Sequence, residues 1–404
     1  MNTAVAEEQA PALPVAIPRD AYLLGTALFL IIAATNILTP LLPDIRNDFG
    51  VSIATAGIIV GAYGLARLIV DLPAGFLADR IGHRRLSAMA LVVLVASCLL
   101  GLGATTVELL IAARVGMGAS VAILATVILS SLSATATAVN RGKVMSLFHV
   151  ANNTGIALYP LVGGVVGAWL GWRATFGVTA VLVVVAGLIL IPVLLRIRPH
   201  RDDPSRAGTG DARVLHGRSR AIAIGVTNFG VVANMINRHG FRNTILPLYA
   251  ATALGLGGIS IATAIALMSI TGLAVATPGG MLGDRIGRRR VITSGLAAIA
   301  AGDLVFLLTH DLVTFLAAAA LIGFGDFFSS SQTALLSEIV PPRQRTRVLG
   351  GYRFSADLGA FVGPVLLAAV MDVASAQAAI LVAVAILLAS SAAARFGVPA
   401  RADV

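Results

Sequence analysis

Long uninterrupted apolar runs constrain this chain more than any other feature. The stretches AYLLGTALFLIIAATNIL (21–38) and ATFGVTAVLVVVAGLILIPVLL (174–195) are two of them. Each approaches the ~20 residues that a helix needs to cross about 30 Å of hydrocarbon. Of the 404 residues, 57% are hydrophobic and only 12% are charged, whereas soluble domains carry roughly a quarter charged residues. A bilayer admits only helices and closed barrels, because every backbone group in it must be satisfied internally. The period-2 alternation of barrel strands is absent. The fold class is therefore read as all-α integral membrane.

Twelve spans are expected. Six lie near 21–41, 53–77, 86–104, 107–129, 144–168 and 174–195, and six near 221–248, 259–278, 291–308, 312–336, 348–370 and 376–394. Basic residues fall in alternate loops: Arg80, Arg84 and Arg85; Arg141 and Lys143; Arg196 to Arg220; Arg285 and Arg288 to Arg290; Arg343, Arg345 and Arg347; Arg395 and Arg401. The positive-inside rule makes those loops and both termini cytoplasmic. The intervening loops hold few basic residues, among them Arg46 and Arg173, and the acids Asp44, Asp48, Asp311 and Asp372. Residues 1–20 lack the basic start and short apolar core of a cleaved signal, so they read as a cytoplasmic tail and the first span as the targeting signal.

The expected order is thus tail 1–20, six-helix bundle 21–195, cytoplasmic linker 196–220, six-helix bundle 221–394 and cytoplasmic tail 395–404. The net charge of +10 sits in short loops, which points to membrane orientation and not to nucleic acid. Among 29 basic residues only Lys143 is lysine, a bias of GC-rich bacterial genomes, so a bacterial inner membrane is expected. The single cysteine, Cys98, is assigned to packing.

The halves repeat one another. PAGFLADRIGHRR (73–85) returns as PGGMLGDRIGRRR (278–290). On nearly the same offset, Arg141 pairs with Arg345, Gly155 with Gly359, Pro160 with Pro364, Asn36 with Asn243 and Pro40 with Pro247. Six spans restore the starting side, so the bundles are parallel repeats about an axis along the membrane normal, with a cavity where they meet.

The two glycine-punctuated loops resemble the loop 2-3 and loop 8-9 motif of the major facilitator superfamily, over essentially the whole chain. The first copy departs by one residue, His83, where arginine is usual. LIAARVGMG (110–118) resembles the helix 4 motif of the drug:proton antiporter branch, with Arg114 as its arginine and Met117 in place of glutamine. GIALYPLVGG (155–164) resembles the helix 5 antiporter motif, in which Gly155, Pro160, Gly163 and Gly164 match and Tyr159 replaces a glycine. GWRATF (171–176) is also similar to the family. The resemblance implies twelve transmembrane helices in two six-helix pseudo-symmetric bundles, working by alternating access.

It also implies a cytoplasmic latch. Asp79 can accept from backbone donors at a neighbouring helix start, by resemblance near Val348 to Arg353 in the eleventh span, and can pair with Arg80 or Arg84. Gly75 and Gly82 would allow a tight turn and close helix approach. Such a contact exists only with the cytoplasmic side closed. Arg85, Gly280, Asp284 and Arg285 belong to the same two loops. Arg67 and Asp71, with Arg353 and Asp357, repeat an i, i+4 spacing and are assigned to the latch, with a local Arg353–Asp357 pair as the plainer reading.

Ionisable residues inside spans are costly and mark function. Arg114 lies about 10 Å into the fourth span at ~1.5 Å per residue with no acid four residues away, so it needs water, substrate or another helix. Asp326 sits in the tenth span, the repeat counterpart of the fourth. A carboxyl in a partly dry cavity is readily poised between its protonation states, which makes Asp326 the foremost proton-coupling candidate, with Asp357 and Arg114 after it. In the seventh span Asn234, Asn237, Arg238 and Phe241 share one α-helical face, expected to line the cavity. Asn36, His149, Asn152 and Asn153 add hydrogen-bonding groups. Arg242 is expected to snorkel to the external surface, and Asp303 has no assigned role.

The expected function is proton-coupled export of a small amphipathic or anionic organic compound, because Arg114 and Arg238 outnumber Asp326 in the expected lining. An uptake symporter or uniporter is the alternative, and a transport-fold sensor a remote one. A P-loop, HExxH and metal-spaced Cys/His clusters are all absent from the sequence, so no cofactor, metal or enzymatic activity is expected. The partners are a small-molecule substrate, protons and the bilayer, and a monomer is expected.

Overall fold

The computed structural model describes residues 17–137, 140–197, 215 and 217–398. The greater part of the 1–20 tail and of the 196–220 linker, and the C-terminal tail beyond Val398, lie outside the described residues. Among those described there is no strand.

Among the described residues twelve helices follow in order. The first half contains α1 (Arg19–Phe49), α2 (Ile53–Ile81), α3 (His83–Leu102), α4 (Val107–Thr135), α5 (Arg141–Leu170) and α6 (Trp172–Arg196). The second contains α7 (Gly217–Ala253), α8 (Gly258–Ile286), α9 (Arg288–Phe306), α10 (Leu312–Ile339), α11 (Pro342–Val373) and α12 (Ala376–Gly397). By length and composition, eleven are apolar enough to cross a membrane. The other is α9, whose 19 residues include Arg288, Arg289, Arg290 and Asp303.

Helix starts are written in polar caps. Ser52, Thr106, Asp311 and Ser375 each accept a hydrogen bond from a backbone N–H of the first turn, and Asp311 completes a reciprocal capping box with Thr314. The α2–α3 and α8–α9 turns pivot on Gly82 and Gly287, with φ of 93° and 95°. That is a conformation L side chains avoid, so the repeated glycine is required at this position in both copies.

Three spans read as continuous are interrupted. After Asn36, α1 tightens into a 3-10 turn at Thr39–Leu41 and resumes as Leu42–Phe49, beyond its expected end at 41. A π-helical stretch occupies Ile236–Ile245 of α7, and a 3-10 turn occupies Gly325–Phe328 of α10. Such irregular backbone inside a membrane span is tolerated where it is buried in protein or lines a cavity.

Each half has its own apolar core, one drawn from residues 21–194 and one from residues 223–398. Leu42 and Ala56 of the first half belong to the second core, so the halves interlock at the end away from the basic loops. At that end Gly57 lies against Ala368 and the Pro364 carbonyl, Gly164 lies against Ala262, and Ile53 N donates to Asp372 Oδ1 at 3.2 Å. Toward the basic-loop end Gly75, Gly82, Gly142, Gly350 and Gly351 face open space.

Candidate functional site

A cavity of about 290 Å³ lies between the halves, walled by Ile32, Asn36, Arg67, Asn152, Asn153 and Ile156 from the first and by residues of α7, α8 and α10 from the second. A larger void, about 580 Å³, lies beside His83, Arg84 and Arg85 at the basic-loop end. It is confined to the first half, whereas the central cavity joins side chains of both repeats to buried charge in a space large enough for a ligand, which is what a substrate site requires.

The α7 backbone decides which side chains reach this cavity. The i→i+5 bonding of a π-helix widens each turn by about one residue. The single stripe expected from Asn234, Asn237, Arg238 and Phe241 therefore divides. Asn234, Arg238 and Arg242, spaced four apart, face the cavity. Asn237 and Phe241 turn away and are fully buried, Phe241 edge-on to Phe306 of α9 at 5.3 Å. Asn237 and Phe241 are thus wall residues and not lining.

Arg242 does not snorkel. Its side chain is 7% exposed, and Nη1 and Nη2 donate to Asp326 Oδ2 and Oδ1 at 2.7 and 3.0 Å. This bidentate fork is the strongest polar contact a carboxylate makes with a side chain. Arg242 Nε also donates to Asn237 Oδ1 at 2.9 Å, and Asn237 Nδ2 donates to Asp303 Oδ2. Asp303 is fully buried in α9. The sequence-level signal for Arg242 was present, since it follows Arg238 by four residues, but reading it required the π-helical turn.

Several expectations change. Arg114 borders a small separate void with Tyr63, His239 and Asn243, outside the main cavity. Its Nη1 donates to the Ala34 carbonyl at 3.3 Å and its guanidinium lies 4.9 Å from the centre of the Tyr63 ring. Its partners are thus another helix's carbonyl and an aromatic face, the contacts left to a cation whose surroundings hold no carboxylate. His149 is exposed, edge-on to Phe148 at 5.7 Å, and lies outside the cavity, because its stretch of α5 is close to the basic-loop end. Asn36, Asn152, Asn153, Asn234, Arg238 and Asp326 all line the cavity, joined by His239, Asn243, Ser269 and Ser329, which sequence reasoning missed.

The latch residues separate into two groups. Arg67 lies 3.5 Å from Asp71 and 3.4 Å from Asp357, linking α2 to α11. The expected local Arg353–Asp357 pair is not made, because Asp357 is buried toward α2 while Arg353 is exposed. Asp79 and Arg80 are exposed, and neither they nor Arg84 and Arg85 form a hydrogen bond or ion pair with a described residue. The contact expected between Asp79 and the start of α11 is therefore not made in this conformation. Gly75 sits mid-helix with open space beside it and makes neither a turn nor a close approach. In the second copy Asp284 pairs with Arg288, and Arg288 also reaches Glu338 of α10 at 3.1 Å and the Gly280 carbonyl at 3.2 Å. His83, the repeat counterpart of Arg288, meets Ser130 of α4 at 3.1 Å.

The α5 motif closes on neighbouring helices. Gly155 faces Ile32, Gly163 the Ile37 carbonyl and Gly164 both Ala262 and the Gly258 carbonyl. These contacts have no room for a larger side chain. Tyr159 is buried and stacks on Phe29 of α1 at 5.1 Å. In GWRATF, Trp172 and Arg173 both donate to Asp48, and Arg173 also reaches the Ala104 carbonyl, stapling α6 to the far end of α1 and to the α3–α4 turn.

Two parallel six-helix units around a polar central cavity match a known family. A model described as Major Facilitator Superfamily matches residues 24–241 and 227–403. The chain belongs to the Major Facilitator Superfamily. It is 27% identical over 381 residues to a chloramphenicol resistance protein of Streptomyces lividans, covering 92% of this chain and 95% of that one. It is 29% identical over 307 residues to the cephamycin export protein CmcT of Amycolatopsis lactamdurans, covering 74% of this chain and 60% of that one. Among solved structures, a bacterial homologue of the human lysosomal transporter Spinster superposes with a TM-score of 0.76 at 16% identity, covering 93% and 96% of the two chains, a likeness of fold. The protein is a multi-pass membrane transporter of small molecules and not an enzyme.

Proposed function

We propose that the protein exports a small anionic or amphipathic organic compound in exchange for protons, by alternating access, as a monomer in a bacterial inner membrane with both termini cytoplasmic. The observation that carries the substrate class is Arg238. It faces the cavity and makes no hydrogen bond or ion pair with a described residue, while Arg242 is neutralised by Asp326 and Arg67 by Asp71 and Asp357. A cation left over in a partly dry cavity attracts an anionic group, and Asn36, Asn152, Asn153 and Asn234 offer hydrogen bonds around it.

Asp326 is the proton carrier in this reading. Its carboxylate is shared between the cavity and Arg242, so protonation releases the guanidinium and a substrate anion competes for it. Export is favoured by the two relatives named for chloramphenicol resistance and cephamycin export. The positive-inside rule makes the basic-loop end, where Gly75, Gly142 and Gly350 face open space, cytoplasmic, which fits a state awaiting its cargo from inside. The bundles 21–195 and 221–394 would rock about the cavity, and Asp79 would dock on the start of α11 when that end closes.

The test is substrate-driven proton movement in proteoliposomes containing a pH-sensitive dye, screened with organic anions, zwitterions and cations. Anions should evoke proton flux opposite to their own movement, and Asp326→Asn should abolish the flux while Arg238→Gln raises KM for anions at least tenfold. Flux evoked by cations alone, or normal coupling in Asp326→Asn, would overturn the proposal.

A further inference from the structure

Asp303 lies in α9, away from the cavity, yet it ends a continuous polar chain that starts there. The orientation of that chain is fixed by chemistry. A guanidinium only donates, so Asn237 must present its Oδ1 to Arg242 Nε, and its Nδ2 therefore faces Asp303 Oδ2. One guanidinium thus stands between two carboxylates, bonded directly to Asp326 and through a single amide to Asp303. Oδ1 of Asp303 is buried with no hydrogen-bond partner, an acceptor left vacant in this arrangement. Leaving a buried acceptor unmet is costly, and a vacancy beside a mobile donor has a use if the donor moves.

We propose that Asp303 is a positioning residue for coupling: it is the alternate anion for Arg242, drawing the guanidinium out of the cavity when Asp326 takes up a proton. This rests on the reading of Asp326 as proton carrier. With Asp326 ionised, Arg242 forks onto it and the pair is neutral. Once Asp326 is neutral, the nearest remaining carboxylate is Asp303, and Arg242 moves toward Asn237 and the vacant Oδ1. No proton leaves the arginine. Proton uptake becomes a displacement of charge from the cavity into the α7–α9 wall, in the π-helical stretch where backbone bonding is already loosened.

The groups that face this pair are few. From α7 come Arg238, His239 and Arg242, from α10 Asp326 itself, and across the cavity Arg67 of α2 with its partners Asp71 and Asp357. The charged residues of α8 and α12, Asp284, Arg285 and Arg395, stand at the basic-loop end, as do Arg288, Arg289 and Arg290 of α9 itself. Asp71 and Asp357 are engaged by Arg67, which leaves Asp303 as the second carboxylate on Arg242's own hydrogen-bonded chain.

The experiment measures transport against pH in proteoliposomes for wild type, Asp303→Asn, Asp303→Glu and Asp326→Asn. Asparagine at 303 still accepts from Asn237 Nδ2, so the hydrogen bond and packing survive while the charge is lost. Without that charge a neutral Asp326 leaves Arg242 buried and unbalanced. The proton concentration for half-maximal transport should rise about tenfold, the equivalent of one pH unit, and Asp303→Glu should restore it. A purely structural role would lower the amount of folded protein and leave the pH profile in place. If Asp303→Asn keeps the wild-type profile while Asp326→Asn is uncoupled, the inference falls and the Asp326 reading stands. If Asp326→Asn couples normally, both fall. Should Asp303→Asn fail to accumulate in the membrane, Asn237→Leu cuts the same link from the cavity side and carries the same expectation, with an unchanged profile again overturning the proposal.

Discussion

Helices α4 and α10 occupy corresponding places in the two halves, and they handle buried charge in opposite ways. α4 runs unbroken from Val107 to Thr135, and its Arg114 is held by the Ala34 carbonyl and the Tyr63 ring. α10 is interrupted at Gly325–Phe328, and the Asp326 at that interruption grips Arg242 with both oxygens. At the site the repeat keeps its residue type at Asn36 and Asn243, counterparts that both line the cavity. Duplication thus sets where helices stand. What they carry has diverged: α4 holds an isolated cation, and α10 supplies the carboxylate of a pair that a proton can separate.

The sharpest way to break that comparison is to remove the arginine from each half. Arg242→Leu strands Asp326 against the cavity wall, and breaking a buried pair by deleting one partner costs ~3 kcal/mol or more. Arg114→Leu removes a cation that has no carboxylate to abandon, so its cost should be about 1 kcal/mol, that of one carbonyl bond and a ring contact. Thermal unfolding in detergent should place Arg242→Leu well below wild type and Arg114→Leu close to it. Equal losses would mean that the two halves use their buried charges alike.

A second contrast sets the two ends of the molecule against each other. Gly163→Leu drives a side chain into the Ile37 carbonyl, an overpacking that costs ~1–3 kcal/mol and lowers the unfolding temperature. Gly75→Leu meets open space in this conformation, so its unfolding temperature should stay near that of wild type. Its transport rate should nevertheless fall severalfold, because closing the basic-loop end brings α2 toward its neighbour. Transport at the wild-type rate would show that Gly75 never comes into contact.

Much of this was legible in the sequence because the bilayer leaves so few choices. Apolar length and loop charge located the spans, and the duplicated loop placed Gly82 and Gly287 at equivalent left-handed turns. The lining was harder for a physical reason. A 3.6-residue period predicts one polar stripe on α7, and the π-helical stretch replaces it with two, sending Asn237 and Phe241 into the wall and Arg242 into the cavity. Nothing in a one-dimensional pattern announces that change of period. Asp303 was visible as an anomaly on an otherwise apolar helix, but its partner lies 66 residues away on another helix, beyond any spacing rule. His149 failed for a simpler reason: a polar residue near the end of a long helix can face an open vestibule or solvent as readily as a closed cavity.

The smallest expected effect distinguishes the two copies of the loop motif. In the second, Arg288 holds Asp284 and Glu338 together, with side chains 64% and 50% exposed, so solvent screens the network to ~1 kcal/mol or less. Asp284→Asn with Glu338→Gln should lower the unfolding temperature slightly, and less so in high salt, where exposed charges are screened within about 8–10 Å. In the first copy Asp79 has no partner to lose, so Asp79→Asn should leave stability unchanged at any salt concentration. Its effect should instead be on the balance of conformations, since the contact it would make with α11 belongs to the closed state. Cysteines placed at positions 142 and 350, where glycines face open space, should therefore become more reactive in Asp79→Asn than in the parent background. Equal reactivity would make Asp79 a charge that only helps to orient its loop.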